Sequence, residues 1–514
     1  MTERKDAWSA KDRERIAAEG LAIEEADRQL ALFRRGVSPV RLNRPCRAGD
    51  GIVVFTPAEQ EKLIAAYTES LRTQRIMKFV PASGAASRMF KEWYQGLRGG
   101  GFATDAERDH FFRDLGRCPF FPDLKAALSA KGLDLDDLLA KRAEGTVLRY
   151  ILTEEGLNYG QLPKALLKFH AYPEGARTAL EEHLVEAALY AQDTQKCSRL
   201  HLTVSAEHER GVRERLSRVI GNYEALCGTV FEIGISVQES ATNTLAVDPE
   251  NRPFRDDKGE LIFRPGGHGA LLANLDALAA DVIFLKNIDN VVPDRLKPET
   301  VRWKRILGGA LITLQDGISQ RLRLLESGDA GEADLGEIAQ FCREKLLLDT
   351  PSAFERRSLA ERWSFLFGRL NRPLRVCGMV KNEGEPGGGP FWVDDPDGKD
   401  VPSLQIIEEP QIDRNDSRQR EIWISATHFN PVDLVCGVRD FRGGKFPLTQ
   451  FADPELAIIA RKSEQGRDLL ALERPGLWNG SMAFWNSLFV EVPLATFNPV
   501  KTVSDLLRPQ HIPG

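Results

Sequence analysis

The sequence predicts a layered α/β fold with a helical amino-terminal extension and helical insertions, and three observations carry that prediction. Residues 229–235 and 281–285 read as apolar strands, separated by a Gly-rich turn at 265–269 and an apolar helix over 270–280. That strand-loop-helix-strand order belongs to layered α/β domains. Residues 76–80 form a second apolar run that stops at Pro81, followed by small residues and then Arg88 to Trp93. This reads as strand, tight loop and helix. Helical spacing dominates 105–142, 159–191 and 303–369, beside the strands and not in line with them.

Taken in order, residues 9–35 alternate apolar and charged positions at helical spacing until Gly36, Pro39 and Pro45 interrupt them. Thr56-Pro57-Ala58-Glu59 combines a cap, a first-turn Pro and an early acid, so a second helix is expected to run to Leu71. A strand is expected at 201–204, a loop at 381–402, where five Gly and four Pro gather, and further strands at 421–426 and 488–493. Pro454 and Glu455, with basic residues farther on, predict a helix over 454–472. The resulting division is a helical extension over 1–75, an α/β domain with helical insertions over 76–440 and a carboxyl-terminal segment over 441–514. No fixed-period repeat is apparent.

A chain of 514 residues with 42% hydrophobic and 28% charged residues is long enough for two or three packed domains, which excludes collagen-like, coiled-coil and disordered classes. Sixty-nine Lys and Arg against 75 Asp and Glu leave a net charge of -6, so no global positive field draws nucleic acid or an anionic membrane. The seven Cys form neither a CxxC pair nor a dense framework, and no apolar run reaches membrane-spanning length. A soluble, cytoplasmic protein is expected.

The sharpest local signal is the stretch from Pro81 to Lys91. Ala82, Ser83, Gly84 and Ala85 are small enough for backbone to approach a ligand, and Arg88 and Lys91 add two cations within about a turn. A plain strand-to-helix connection with surface cations is the alternative. The stretch is neither a Walker A loop nor a dinucleotide fingerprint. Gly266, Gly267 and His268 form a second turn opening onto a helix, where the Gly pair lets a flat group lie on backbone and His268 offers a hydrogen bond. A structural role for His268 in the turn is equally open. The strand at 281–285 delivers Asn287, Asp289 and Asn290 at its carboxyl end, where open α/β sheets bind ligands. Asp289 suits magnesium, which takes hard oxygen from few carboxylates and from substrate phosphates; the two Asn are equally placed to cap the strand. His201, His208 and His428 are too dispersed for zinc, and HExxH and GxSxG are absent.

In this order, these segments resemble the sugar-nucleotide pyrophosphorylase superfamily of nucleotidyltransferases, especially its UDP-sugar branch. A fourth segment, Phe497-Asn498-Pro499-Val500-Lys501-Thr502 followed by Asp505-Leu506-Leu507, is similar to the Phe-x-Pro-Val-Lys-Thr and Asp-Leu-Leu stretch of UDP-glucose pyrophosphorylases. The resemblance covers roughly residues 76–295 and resumes at the carboxyl end. The whole chain also resembles a bacterial family described as a domain of unknown function. Two departures stand out: Ala85 and Ala86 replace loop Gly, and the Pro-Lys pair that usually follows the loop is replaced by Phe90-Lys91.

The resemblance implies a Rossmann-like, three-layer, GT-A-like mixed sheet and transfer of a nucleotide from a nucleoside triphosphate, UTP by preference, to a sugar 1-phosphate. It implies catalytic roles for Arg88, Lys91 and Lys501, and Mg2+ at Asp289. Nucleotide contacts would come from Ala82 to Ala85, Gln238 and Gly266 to His268, and sugar contacts from Asn287, Asn290 and Glu408. Glu239, beside Gln238, is a further nucleotide or sugar contact, Gln405 and Glu409 with Glu408 are candidates for a second substrate wall, and Trp478 serves either a sugar pocket or a turn. The competing readings are a noncatalytic nucleotide or sugar-phosphate sensor and a nucleotide-sugar-dependent glycosyltransferase.

Overall fold

The computed structural model describes residues 8–84, 86–384, 387–395, 401–464 and 466–512, with Ser87 described only in its backbone. The chain is mixed α/β, as expected, and divides into two compact units. One comprises Met1–Ser70, Gln238–Ile283 and Ile306–Val492; the other comprises Leu71–Val237, Phe284–Arg305 and Pro493–Gly514. Among the described residues no helix is long and apolar enough to cross a membrane.

In the first unit the strands Arg47–Ala48, Gly51–Val53, Asn486–Glu491, Leu374–Met379 and Asp433–Gly437 lie side by side in that order. All neighbours run parallel except the last pair, where Val376 faces Val435 in antiparallel register. Leu374–Met379 is buried throughout, the pattern of a strand covered on both faces. The strands Leu42–Pro45, Gly389–Val393 and Ser403–Ile407 make a smaller antiparallel sheet. The amino-terminal helices Ala10–Ala18 and Ile23–Arg35 separate at Gly20, whose φ of 77° suits Gly. They place Ile16, Leu30 and Phe33 against Leu245, Val247 and Leu472.

The second unit holds the parallel strands Ile76–Pro81, Cys197–Val204 and Val230–Val237, with Phe79 opposite His201 and His201 opposite Gly234. The helices Ala179–Tyr190 and Ala206–Cys227 accompany them. Five shorter helices between Lys91 and Leu152 bury Phe90, Phe111, Phe120 and Leu148 in the same core as Val80 and Leu202. The capping boxes at Thr104 with Glu107 and Thr178 with Glu181 fix two helix starts through reciprocal side-chain and backbone bonds.

Several expectations are corrected. Residues 421–426 are not a strand: Asp416 accepts the N–H groups of Arg418 and Gln419 and starts the helix Ser417–Ile424. Ile422, Trp423 and Ala426 then share one face at helical spacing, with Trp423 stacked on Phe391 at 5.3 Å. Residues 454–472 form no long helix but the antiparallel strands Ile458–Glu464 and Arg467–Glu473. Leu469 and Ala471 face one core while Leu470 and Leu472 face another, so burial on both sides hides the period of two from the sequence. The first half of 159–191 contains the hairpin strands Lys168–Tyr172 and Gly175–Thr178. The predicted loop at 381–402 contains the strand Gly389–Val393, whose Gly389 and Pro390 are accommodated by pairing with Ile407 and Ile406. The helix expected from Arg88 begins at Lys91, after a short 3-10 turn at Ala86–Arg88.

Candidate functional site

The strand Val282–Leu285 is followed by a turn that presents Asp289. Two backbone links seat this turn on the carboxyl-terminal segment: Val500 N–H donates to the Asp289 carbonyl at 3.0 Å, and Asn290 forms a bridge with Pro499. The Asn290 side chain donates to the Thr496 carbonyl at 3.2 Å and accepts from Asn498 N–H at 2.8 Å. Asn290 thus clips together the two chain segments that carry Asp289 and Lys501. The Asn287 side chain is only partly buried.

The Asp289 carboxylate meets two ammonium groups. Lys164 Nζ lies 2.8 Å from Oδ2 and also donates to the Val500 carbonyl at 2.7 Å. Lys501 Nζ lies 3.4 Å from the same oxygen. Burial by itself raises the Asp289 carboxyl, but Lys164 and Lys501 beside it hold it below its ordinary value. Lys164 is nearly enclosed at 11% exposure, whereas Lys501 is 61% exposed and free to turn toward an anion. Among the described residues no cluster of three or more His, Cys, Asp or Glu gathers to hold a metal. One carboxylate with a single oxygen committed to lysines fits magnesium only where phosphate oxygens and water complete the shell.

Lys164 is the residue that the sequence reading missed. A Pro-Lys dipeptide stands at Pro163-Lys164, beyond the five helices, and the fold brings it to the loop. Lys164 N–H donates to the Gly84 carbonyl, and Ala86 N–H donates to the Leu162 carbonyl, both at 3.3 Å. The signal was a Pro inside a stretch assigned to helix. Ala82 is buried and bonded to Thr203, Ser83 is half-buried, and a methyl group placed on Gly84 meets nothing within 4 Å among the described residues. Packing therefore leaves room above Gly84. Ala85 lies outside the described residues. Arg88 and Lys91 are exposed and make no ion pair among the described residues.

Beneath this turn, the fully buried Glu186 receives Lys286 Nζ at 2.9 Å and Lys78 Nζ at 2.8 Å, and His183 Nε2 lies 3.1 Å from the Ile288 carbonyl. Burial pushes the Lys78 ammonium down to about 7, against the pull of Glu186. This network anchors the residues on either side of Asn287 to the helix Ala179–Tyr190.

The first unit contains a different cluster. His268 stacks on Trp478 with centroids 4.7 Å apart, and its Nδ1 accepts Leu477 N–H at 3.0 Å. The ring proton is thereby assigned to Nε2, which faces Glu408 Oε1 at 3.6 Å. Glu408 also accepts from Asn479 Nδ2 at 2.9 Å. Burial raises the Glu408 carboxyl, but His268 and Asn479 outweigh it and lower it overall. The Trp478 indole N–H and Asn479 Oδ1 are buried without a hydrogen-bond partner among the described residues. Such unspent groups are costly unless something completes them. Gly267 has φ 71°, and a Cβ on Gly266 would come 2.5 Å from the Thr242 carbonyl, so the protein's own backbone already requires this pair. Gln238 is half-buried and Glu239 exposed, while Gln405 donates to the Ala483 carbonyl and Glu409 pairs with Arg414. The three histidines found too dispersed for zinc each have a different partner, His201 with Ser236, His208 with Glu207 and His428 with Glu491.

The profile of the family described as domain of unknown function (DUF4301) matches residues 9–512. No curated protein sequence matches the chain significantly. Among solved structures, a mutant UDP-glucose pyrophosphorylase from Leishmania major in complex with UDP-glucose is 13% identical, with a TM-score of 0.43 over 97% of this chain and 78% of that one. A uridine diphosphate N-acetylglucosamine pyrophosphorylase from Trypanosoma brucei in complex with inhibitor is 12% identical, with a TM-score of 0.47 over 97% and 79%.

Proposed function

We propose that this chain, which belongs to the DUF4301 family, is a sugar-1-phosphate nucleotidyltransferase. The observation that carries the reading is Asp289 held between Lys164 and Lys501 at a strand end, beside a loop with open space at Gly84. A phosphate oxygen of the sugar 1-phosphate attacks the α-phosphorus of a nucleoside triphosphate; the new P–O bond forms as the bond to pyrophosphate breaks. The nucleophile is already anionic, so the protein's task is alignment and neutralisation of crowded oxygens.

Lys164 is assigned to the phosphate chain, because its ammonium already sits at the carboxylate. Lys501, more exposed, would turn to the α-phosphate or the sugar phosphate. Arg88 and Lys91 remain candidates for the leaving pyrophosphate. Asp289 would hold magnesium, which supplies charge neutralisation on the phosphate oxygens when bound. In the first unit, Trp478, Asn479 and Glu408 offer a donor, an acceptor and a carboxylate suited to a base or sugar hydroxyl. Uridine is favoured by the branch resemblance.

The test is pyrophosphate release from UTP, ATP, GTP, CTP and dTTP with a panel of hexose and N-acetylhexosamine 1-phosphates, with and without magnesium. Release with one pair, together with the matching nucleotide sugar, supports the reading. Binding of triphosphate without exchange anywhere in the panel would replace it with the sensor. Consumption of a nucleotide sugar without pyrophosphate chemistry would replace it with the glycosyltransferase.

A further inference from the structure

The helices Lys91–Gly99 and Asp105–Leu115 enclose, with the turn Val503–Leu507, a cavity of about 520 Å³ in the second unit. That volume is within the range of small-molecule sites, roughly 300–1,000 Å³. Its wall is aromatic: Trp93 meets Phe111 edge-on and Phe102 lies beside the same ring, each pair with centroids 5.1 Å apart. The helices are joined through Gly100 and Gly101, whose φ values of 76° and 159° allow the reversal that leaves this space open.

The lining carries three carboxylates and one histidine, His110. Glu92, Glu107 and Asp114 face the cavity, and among the described residues no Lys or Arg lines it. Glu107 accepts Thr104 N–H at the helix start, and Asp114 is already paired with His110 at 2.9 Å, Arg113 at 3.2 Å and Arg117 at 3.6 Å, so the uncompensated charge on the rim is that of Glu92 and Glu107. Glu92 has no ion pair among the described residues. Phosphates and other anions are repelled here, so the substrates of the proposed reaction do not suit this cavity. An aromatic wall with a carboxylate rim instead suits a cation attached to an apolar body, through ring-face attraction and ion pairing together.

We propose that this cavity is a binding site for a small cationic amphiphile, an aromatic or aliphatic body carrying one ammonium or guanidinium group. An occupant would touch Val503 and Leu507, on the turn whose Asp505 accepts the N–H groups of Lys501 and Thr502 at 2.7 Å.

The test uses the full-length protein and three probes of one shape, 2-phenylethylamine, 2-phenylethanol and phenylacetate, titrated at neutral pH and low salt by calorimetry and ligand-observed NMR. The amine is expected to bind saturably, about fivefold or more tighter than the alcohol, with phenylacetate weakest. Glu92→Gln is expected to bring the amine and alcohol to within about twofold of each other, and Phe102→Ala to weaken both, with thermal melts confirming that each variant folds. Equal affinity for amine and alcohol, amine binding indifferent to both substitutions, or no saturable amine binding up to about 20 mM would each overturn the proposal. None of these readouts depends on nucleotidyl transfer.

Discussion

Around Asp289 the second unit concentrates formal charge, two ammonium groups on one carboxylate oxygen, whereas around His268 the first unit works with a stacked ring pair, amide groups and a single carboxylate. In the first case the partners come from segments far apart in the chain, and burial makes each charge depend on the others. In the second, Leu477, Trp478 and Asn479 are consecutive, and His268 is seated on their backbone. Under the proposed reaction, the difference separates two kinds of recognition. Charge concentrated at a strand end suits phosphate, while unspent neutral donors and acceptors beside aromatic rings suit a base or a sugar.

The largest effect is expected at Asp289. Under the proposed reaction, Asp289→Asn should lower nucleotide exchange about a thousandfold or more, while His268→Ala should cost about tenfold. Comparable losses at both positions would erase the distinction between the clusters. The stability counterpart is Lys164→Met, which leaves the buried Asp289 carboxylate with only the exposed Lys501, 3.4 Å away. A loss of about 3 kcal/mol is expected by urea denaturation, with most of it restored in Lys164→Met combined with Asp289→Leu. A loss below about 1 kcal/mol would show that water already screens this carboxylate.

A second difference concerns pH. In the second unit His170 Nε2 lies 3.0 Å from His511 Nδ1, the rings stack, and Glu182 takes the other His170 nitrogen at 2.8 Å. Burial and the neighbouring His170 lower His511 from 6.5 to about 4. The folded state therefore binds fewer protons than the unfolded state between those values, so stability falls as pH drops from about 6.5 toward 4. The loss amounts to about 3 kcal/mol when complete, and His511→Asn should flatten that part of the curve measured by thermal or urea unfolding. An unchanged pH slope in the variant would assign the acid sensitivity elsewhere.

Salt sharpens the comparison further. Lys501→Ala should weaken UTP binding about tenfold at low ionic strength and much less at about 1 M salt, because an exposed cation is screened. His268→Ala should weaken binding by a factor that salt leaves nearly constant. The smallest effect is expected at Arg88→Ala and Lys91→Ala, which should each change unfolding free energy by less than about 0.5 kcal/mol, since both side chains are exposed and unpaired among the described residues. A larger change would reveal a structural role for the loop cations.

The amino-acid sequence by itself determined the features that are written locally. The apolar runs within Ile76–Pro81, Val282–Leu285 and Asn486–Glu491 are strands because each is bounded by turn residues and buried along its length. The cap at Thr56 with Glu59 starts the helix Pro57–Ser70, and the placement of Asp289 at a strand end was likewise readable. Tertiary structure decided the rest. Ser417–Ile424 is a helix and Arg467–Glu473 a strand because of what lies against each face, information that a single segment does not contain. The pairing of Lys164 with Asp289 joins residues 125 positions apart. Periodicity and capping act over one or two turns of chain, but a buried ion pair is selected by the fold that removes both groups from water.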